Sequence, residues 1–577
     1  MKTDITWAIG GEAGFGIVSS GTMLSKTFSR AGYGVIANNE YPSLIRGGHN
    51  FVSVRITTSI VHAPKKSIQF LIALNKETVD LHKADLENNA YLVYDEKDYA
   101  WKKEEFNYPV TLISVPFSDL VKQKHGDAVM RNTIALGVTM FLLGKDISFL
   151  TRVIHDQFKV KGEMIVAENI DIATSGYEYV KEHFPMLTDL NMAEGTVKEP
   201  QLVMNASEAV ALGAIAGGMK FAAIYPMTPI NALITLFADH AEELGIVYKQ
   251  PEDEIAGINM AIGASLGGVR SMVATSGGGF ALMVEAISMA GIMEVPVVVN
   301  LGMRPGPATG MPTWTEQGEL HMVLRAGHGE FPRIILAPGD VEESFILAKF
   351  AFEVAEQFQT PVFILTDKYL NETLWQLPRA VLKNQAAVGD VKNTADMDAI
   401  PFKRYDISTP SGISKRSVPG EKDHEYIANS YEHDEHGFTT EESAMRKAMV
   451  DKRLRKMKAI LQIAPAPAVY GEENADITFV SFGSLKGVIL EAMRELGVRG
   501  VKIKLIHFSW VYPFVEETVK KLLTNEKRLV SIEQNATGQL ASLIRELTGV
   551  AITEQWLKYD GRQWTTEEIV LRVKGNK

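Results

Sequence analysis

A loop in the middle of the chain carries polar side chains that could bind an anion. Residues 300–313, NLGMRPGPATGMPT, follow an apolar strand and contain one arginine, three prolines and three glycines. Proline fixes φ, and glycine lets the backbone approach a ligand closely. The loop can therefore hold Arg304, Thr309 and Thr313 in a fixed geometry, and an arginine fork suits a carboxylate. We predict a carboxylate site here; the alternative is a rigid loop whose arginine pairs with a local acid.

Two further segments place oxygen-bearing side chains beside predicted elements. In YPMTP (225–229), Thr228 offers a hydroxyl just past a buried strand, and ligands of open α/β sheets gather at such strand ends. In residues 250–265, Glu254 opens a helix of small residues, so its carboxylate could be buried against a ligand nitrogen. The alternatives are a plain proline-rich loop for Thr228 and, for Glu254, an acid that complements the helix dipole.

A glycine-rich turn near the N-terminus, GGEAGFG (10–16), joins a strand to a helix, where backbone N–H groups favour an anion. The spacing is not G-x-G-x-x-G, because Ala13 and Ser19 stand where glycines are needed. A dinucleotide site is therefore not indicated, and the turn either binds another anion or is purely structural. The glycines taken as candidate cofactor contacts are Gly11, Gly14 and Gly16.

A second N-terminal motif, EYPSLIRGGH (40–49), places Arg46 before two glycines. An arginine at a flexible turn can clamp a phosphate or a carboxylate. A loop or interface arginine is the equal alternative.

Three histidines, at positions 424, 433 and 436, are surrounded by acidic residues. Their spacing of nine and then three does not match a standard metal-ligand set. We therefore predict a solvated loop and no metal site in this chain.

Alternating strands and helices predict the α/β class with a parallel sheet. Residues 1–190 form one predicted domain, 200–450 a second and 460–577 a third, with a polar linker at 190–200. Four local expectations are specific: a strand that ends at Ile9, a glycine turn at 277–279, a basic helix at 444–461, and a single strand over 501–510.

Composition narrows the classes of function. The 577 residues carry a formal net charge of −11, which disfavours nucleic-acid binding because that needs clustered Lys and Arg. There is no cysteine, which excludes disulfides and a Cys-ligated iron–sulfur cluster held by this chain. We see no signal peptide and no membrane span, and we expect a cytoplasmic protein.

Several motifs, in order, resemble those of one enzyme family. The chain is similar to the alpha subunit of 2-oxoacid:ferredoxin oxidoreductases, with that family's gamma domain fused in front. The motifs that carry the resemblance span nearly the whole chain: GGEAGFG, EYPSLIRGGH, YPMTP, PEDEIAG, TSGGGF, RPGPATGMPT, HGEFPRIILAPGD and EHDEHG…KRLRKM.

The resemblance implies a fold and a division of labour. Residues 1–190 would be a gamma domain linked to coenzyme A, 200–450 the pyrimidine-side domain for thiamine diphosphate, and 460–577 a domain like the transketolase C-terminal domain. A beta subunit would supply Mg²⁺–diphosphate binding through a GDG motif, and a [4Fe–4S] cluster through its cysteines. This chain has neither GDG nor cysteine. We expect a heterotetramer of two alpha and two beta chains with ferredoxin as acceptor.

The resemblance also implies roles for individual residues. Glu254 matches the glutamate that hydrogen-bonds the aminopyrimidine ring, and Thr228 and Arg304 match residues that hold the 2-oxoacid. Thr313 lies in the loop associated with the choice of substrate side chain. Arg46 and the glycine turn would contact coenzyme A.

The implied reaction is coenzyme A-dependent oxidative decarboxylation of 2-oxoglutarate to succinyl-CoA, or its CO₂-fixing reverse. The fused layout and the 304–313 loop resemble the 2-oxoglutarate branch more than the pyruvate branch. A broad-specificity or pyruvate-type enzyme is the first alternative, and a transketolase-type thiamine enzyme without ferredoxin is another. A nucleotide-binding regulatory protein is the alternative from a different class.

Overall fold

The computed structural model describes residues 1–44, 47–383 and 401–575. This part of the chain divides into two compact units. One contains residues 1–44, 47–204, 373–383 and 565–575, and the other contains 205–372 and 401–564. The three-domain division stays a prediction. No helix in the described ranges is long and apolar enough to cross a bilayer.

Strands and helices alternate along most of the chain. The strands are β1 Asp4–Glu12, β2 Gly34–Glu40, β3 His49–Thr57, β4 Ile68–Ala73, β5 Leu86–Tyr94, β6 Val110–Ser114, β7 Gln201–Met204, β8 Phe221–Ala223, β9 Val247–Lys249, β10 Ser271–Thr275, β11 Val297–Met303, β12 Ile334–Leu336, β13 Pro361–Asp367, β14 Trp375–Pro378, β15 Ala468–Gly471, β16 Ile477–Phe482, β17 Ile503–Phe508, β18 Trp510–Tyr512, β19 Leu529–Glu533 and β20 Glu554–Leu557. The helices are α1 Ile17–Arg30, α2 Lys76–His82, α3 Phe117–Gln123, α4 Arg131–Leu142, α5 Ser148–Phe158, α6 Glu163–His183, α7 Ala206–Ala216, α8 Asn231–His240, α9 Glu254–Leu266, α10 Gly277–Ile292, α11 Leu320–Leu324, α12 Val341–Phe358, α13 Lys368–Glu372, α14 Arg379–Lys383, α15 Ser443–Ile463, α16 Leu485–Val498, α17 Glu516–Leu523, α18 Gln539–Thr548 and α19 Thr566–Val573. The mixed α/β class is confirmed.

The first unit is built on a sheet of order β2-β3-β1-β4-β5-β6, six strands among the described residues. Strands β1, β4, β5 and β6 run parallel, and β3 lies antiparallel to β1 and β2. The prediction that the first strand ends at Ile9 was wrong. β1 continues through Gly10 and Gly11 because Gly11 still pairs with Asn50 on β3.

The expected linker at 190–200 is hydrogen-bonded into this first unit. The Ala193 N–H donates to the Lys2 carbonyl at 2.9 Å, and the Val197 N–H donates to the Gly32 carbonyl at 2.9 Å. The segment is therefore polar in its side chains, but hydrogen bonds fix its backbone to the first unit.

The second unit contains the predicted parallel sheet, whose order in the described chain is β18-β12-β13-β11-β10-β8-β9. All neighbouring pairs are parallel except β18 with β12. Successive side chains point to opposite faces, and both faces are buried. Val273, Val297 and Val299 enter one apolar core, whereas Met272, Ala274 and Val298 enter the other. Burial on both sides explains why these strands read as continuous apolar runs.

The last sheet, β15-β17-β16-β19-β20, shares an apolar core with the parallel sheet. The prediction of one strand over 501–510 was wrong, because β17 ends at Phe508. Trp510–Tyr512 forms a separate strand that pairs antiparallel with β12 of the neighbouring sheet. A continuous apolar segment does not indicate that its two ends belong to different sheets.

The prediction of a glycine turn at 277–279 was wrong. These three glycines form the first helical turn of α10. The basic helix is confirmed as α15, yet three of its cations are buried: Lys452, Arg453 and Lys456. Helix α15 is therefore not a solvated basic surface.

A buried ion cluster attaches α15 to the parallel-sheet core. Lys452 Nζ lies 2.6 Å from Glu294 Oε1, and Lys456 Nζ lies 2.5 Å from Glu294 Oε2. The Arg404 guanidinium donates to the Glu294 backbone carbonyl at 2.8 Å. These cations hold the pKa of Glu294 well below its usual range against the opposing effect of burial. One carboxylate thus compensates the buried lysines.

We expect Glu294→Gln to lower the free energy of unfolding by about 3–5 kcal/mol, because it leaves buried cations uncompensated. Chemical denaturation at pH 7 measures the effect. Lys447→Gln is the matched control on the same helix, since it breaks only the exposed pair with Asp451 and should cost about 0–1 kcal/mol. Equal losses in the two variants would contradict this role for Glu294.

Candidate active site

The predicted site residues of the second unit follow strands of one parallel sheet. Thr228 lies beyond β8, and Arg304 comes directly after β11. Glu254 begins α9, which packs against β8 and β10. Because the carboxyl ends of parallel strands meet at one edge, the fold gathers these side chains where open α/β sheets bind ligands.

Glu254 is a buried carboxylate with one oxygen that the described residues leave unsatisfied. Its neighbour Asp253 caps α9 by accepting a hydrogen bond from the Ala256 N–H at 2.8 Å, so Glu254 is not needed as a cap. The Glu254 side chain is 4% exposed, and its Oε1 has no hydrogen-bond partner among the described residues. Buried polar atoms are almost always paired, so this oxygen calls for a donor from outside the chain.

A glycine makes the space for this carboxylate. A Cβ at Gly279, in the first turn of α10, would lie 2.3 Å from Glu254 Oε1 and 2.1 Å from Thr275 Oγ1. Only glycine fits there. Gly279 of the TSGGGF motif therefore leaves room for the Glu254 carboxylate.

Arg304 and Thr228 are brought together through the backbone of Thr228. Arg304 Nη1 donates to the backbone carbonyl of Thr228 at 2.7 Å. Burial lowers the pKa of the Arg304 guanidinium, and the nearby Glu319 carboxyl partly offsets that effect. The guanidinium is thus a partly desolvated cation at the strand edge.

Thr313 lies at the end of a loop that folds back on itself. The Met311 N–H donates to the Pro305 carbonyl at 3.0 Å, and a Cβ at Gly310, whose φ is +55°, would lie 1.8 Å from that carbonyl oxygen. Thr313 is buried, and its Oγ1 has no partner within the described ranges. Thr309, the other predicted hydroxyl, is exposed. The loop therefore directs Thr313 inward and leaves Thr309 at the surface.

Two carboxyl groups of this region carry no recognisable sequence signal. Glu319 is partly exposed as a residue, but its Oε2 is buried without a partner in the described chain. Burial, reinforced by Glu316, raises the pKa of Glu319 to about 8. Asp367, at the end of β13, is fully buried, and burial raises its pKa to about 6 although Ser484 donates to it at 2.5 Å. Neither residue lies in a periodic segment or a motif, so only the fold reveals them.

The candidate coenzyme A residues lie in the first unit. Gly14 and Gly16 have φ of +98° and +68°, and Asn132 packs where a Cβ of Gly16 would lie. Gly11 belongs to β1 rather than to the turn. The Ala13 N–H donates to the Gly48 carbonyl at 3.0 Å, which joins the glycine turn to the GGH segment. Arg46 itself lies outside the described residues.

The three histidines do not lie in a solvated loop, and that prediction was wrong. His424 and His433 are buried, and the His433 ring lies 4.0 Å from the Tyr405 ring, centroid to centroid. His436 Nδ1 lies 3.0 Å from the Phe402 carbonyl oxygen. Among residues 1–44, 47–383 and 401–575, no cluster of three or more His, Cys, Asp or Glu could hold a metal ion.

Three family models match the chain in order. They are described as pyruvate ferredoxin/flavodoxin oxidoreductase over residues 6–179, pyruvate flavodoxin/ferredoxin oxidoreductase, thiamine diP-bdg, over 212–452, and pyruvate:ferredoxin oxidoreductase core domain II over 475–569. Fold and site thus define an oxidoreductase subunit with a thiamine-diphosphate-binding domain.

Relatives over the full length name the family. The alpha subunit of 2-oxoacid:ferredoxin oxidoreductase 2 from Aeropyrum pernix is 32% identical over 99% of this chain and 97% of its own. A 2-oxoglutarate synthase subunit KorA from Methanocaldococcus jannaschii is 33% identical over 58% of this chain and 88% of its own. The solved 2-oxoglutarate:ferredoxin oxidoreductase from Magnetococcus marinus, with 2-oxoglutarate, coenzyme A and succinyl-CoA bound, superposes with a TM-score of 0.92 at 30% identity, covering 100% of both chains. The chain belongs to the family of 2-oxoacid:ferredoxin oxidoreductase alpha subunits.

We expect Glu254→Gln to separate activity from stability. The lost carboxylate should reduce turnover of the assembled enzyme by about 10²–10⁴-fold, the usual range for acid–base groups. The melting temperature of the chain without cofactor should stay the same or rise, because an unsatisfied buried carboxylate costs stability. Steady-state rates and thermal unfolding measure the two effects.

Glu252→Gln is the matched control, because Glu252 is an exposed acid two residues away. It should leave both quantities unchanged. A Glu254→Gln enzyme that turns over at the wild-type rate with saturating thiamine diphosphate would remove Glu254 from the mechanism.

Proposed function

We propose that this chain, together with a beta subunit, catalyses the coenzyme A-dependent oxidative decarboxylation of 2-oxoglutarate to succinyl-CoA, with ferredoxin as electron acceptor. The same site would serve the reverse, CO₂-fixing direction. The observation that carries the proposal is the unsatisfied Glu254 carboxylate at the same sheet edge as Arg304. The full-length similarity to an enzyme with 2-oxoglutarate and succinyl-CoA bound supports the choice of substrate.

The residues present fit the pyrimidine end of thiamine diphosphate. Glu254 Oε1 lacks a donor within the ranges that the structure describes, and the glycine at 279 keeps the space around it open. Glu254 would accept a hydrogen bond from the aminopyrimidine ring and fix its orientation. When bound, thiamine diphosphate supplies the electron sink for decarboxylation. The Mg²⁺ and the [4Fe–4S] cluster would belong to the beta subunit, since this chain has neither a GDG motif nor a cysteine.

The substrate end of the site is cationic. Arg304 would pair with the 2-oxoacid carboxylate, held in position by its bond to the Thr228 carbonyl. A partly desolvated guanidinium binds a carboxylate more strongly than an exposed one does. Thr313 would donate its unsatisfied hydroxyl toward the substrate side chain, where a dicarboxylate offers an acceptor that pyruvate lacks.

Coenzyme A would meet the first unit. The N-terminus of α1, preceded by Gly14 and Gly16, presents backbone N–H groups suited to phosphate. Arg46 would add a charge-assisted contact from the segment bonded to the same turn. Complete active sites would require the beta chain, in an assembly of two alpha and two beta subunits.

A broad-specificity enzyme is the second candidate function. The names of the matched family models mention pyruvate, whereas the names of the full-length relatives mention 2-oxoacids in general. Discrimination depends on whether donors to the distal carboxylate are buried: a site that leaves buried donors unpaired rejects the shorter substrate strongly.

We expect kcat/KM of the assembled two-chain enzyme to be at least about tenfold higher for 2-oxoglutarate than for pyruvate or 2-oxobutyrate, because pyruvate cannot pair with the distal donors. Ferredoxin or dye reduction measures the rates. The control is this chain alone, which should reduce neither acceptor.

A pyruvate value equal to or above that for 2-oxoglutarate would defeat the substrate assignment and leave the reaction class intact. Oxoacid-dependent reduction by the single purified chain would defeat the two-chain model.

A further inference from the structure

A short loop beside the last sheet covers the segment around Thr313. We call residues 558–564, which follow β20, the covering loop. Its two ends are held at one point, because the Lys558 N–H donates to the Glu533 carbonyl at 3.1 Å and the Trp564 indole N–H donates to the same oxygen at 3.2 Å. The covering loop therefore has a fixed position on the last sheet.

Thr313 itself lies in a tight turn. The Trp314 N–H donates to the Met311 carbonyl at 3.1 Å, which closes the turn. Pro312 and Thr313 are its two central residues, and proline is favoured at the first of these because its φ is already set. Thr313 Oγ1 is buried without a hydrogen-bond partner in the described chain. The direction of this hydroxyl therefore depends on where the turn is held.

The covering loop contacts this turn through its backbone and through one side chain. The Thr315 N–H donates to the Gly561 carbonyl at 3.1 Å. Gly561 has a φ of +79°, and a Cβ there would lie 3.2 Å from Met311 Cε and 3.3 Å from Trp314 Cβ, so glycine permits the close approach. The guanidinium carbon of Arg562 lies 3.0 Å from the centre of the Trp314 ring. Arg562 is thus stacked on the residue that closes the turn.

We propose that Arg562 is a positioning residue for substrate choice: its stack on Trp314 fixes the turn that directs the Thr313 hydroxyl toward the side chain of the oxoacid. The inference rests on the proposed role of Thr313. A planar guanidinium on an indole combines cation–π attraction with close packing. Because Arg562 is exposed and Trp314 is only half-buried, the contact lies outside the apolar core. Its loss should affect the binding of a dicarboxylate more than folding.

The test is Arg562→Ala in the assembled enzyme. The KM for 2-oxoglutarate should rise about two- to fivefold, which is the equilibrium effect of losing one exposed cation–π contact. The KM values for pyruvate and coenzyme A should stay unchanged, because neither ligand has a distal carboxylate for Thr313 to meet. The ratio of kcat/KM for 2-oxoglutarate to that for pyruvate should therefore fall by the same factor.

Arg528→Ala is the matched control. Arg528 also lies over an indole, with its guanidinium carbon 5.8 Å from the centre of the Trp556 ring. It precedes β19, which runs parallel to β20, so it lies at the opposite end of the sheet from the covering loop. This variant should keep the wild-type ratio.

A double-mutant cycle shows whether Arg562 acts through Trp314. Adding Arg562→Ala to a Trp314→Ala chain should cause no further fall in the ratio, because the stack is already absent. A further fall equal to that in the wild-type background would overturn the inference. So would an Arg562→Ala ratio equal to the wild type, or equal rises in the KM values for 2-oxoglutarate, pyruvate and coenzyme A.

Thr313→Val, which keeps the shape and removes the hydroxyl, separates this failure from that of the proposed function. If Thr313→Val leaves the ratio unchanged, Thr313 does not choose the substrate, and the inference fails with that role. If Thr313→Val lowers the ratio and Arg562→Ala does not, only the role of Arg562 fails. A wild-type ratio at or below one defeats the 2-oxoglutarate assignment, and the inference with it, before any variant is made.

Discussion

A buried carboxylate oxygen that finds no hydrogen-bond partner in the described part of the chain constrains the architecture of the second unit. Glu254 sits where α9 begins, Asp253 already caps that helix, and the Gly279 position can carry no side chain because the Glu254 oxygen occupies the space. Such an arrangement opposes folding, since a buried polar oxygen without a hydrogen-bond donor costs free energy. It is understandable if the missing donor comes from a ligand, and the thiamine-diphosphate-binding family model covers this segment. This local loss of stability leaves one oxygen of Glu254 available to a ligand.

Both the parallel sheet and the last sheet position the residues of that site. Strand order brings the loops after β8 and β11 to one edge, and the apolar core continues from Val299 and Leu301 into Phe482 and Ile506 of the last sheet. At the end of β13, Ser484 donates to the buried Asp367, and Gln317 donates to the Phe482 carbonyl at 3.1 Å. The segment between Thr313 and Glu319 is therefore anchored by the last sheet, and with it the end of the loop that carries Arg304 and Thr313.

The elements and residues that follow local rules could be predicted from sequence. The strand at 271–275 is buried on both faces and apolar over 272–274. The helix after Asn205 begins with a capping box in which Asn205 and Glu208 bond each other's backbone N–H. Glu254, Arg304 and Thr313 were proposed from their place beside such elements, and the structure places them at the strand edge or in its loop. Their chemical roles remain proposals.

What could not be predicted depends on contacts distant in sequence. The sequence predicted a basic helix at 444–461, but not that Glu294, more than a hundred residues earlier, compensates Lys452 and Lys456 in the core. His433 is buried because Tyr405 packs against it. Glu319 gains its unusual environment from Arg304 and from a helix that begins at residue 277. Local patterns do not carry information of this kind.

We propose that Glu254 receives the aminopyrimidine ring of thiamine diphosphate. A structure of the assembled alpha–beta enzyme with the cofactor bound tests it most directly. We expect a Glu254 carboxylate oxygen within hydrogen-bond distance, about 2.6–3.2 Å, of a pyrimidine ring nitrogen, with Gly279 beside the carboxylate. A pyrimidine ring bound elsewhere, or a Glu254 Oε1 satisfied by a side chain of the beta subunit, would contradict the account.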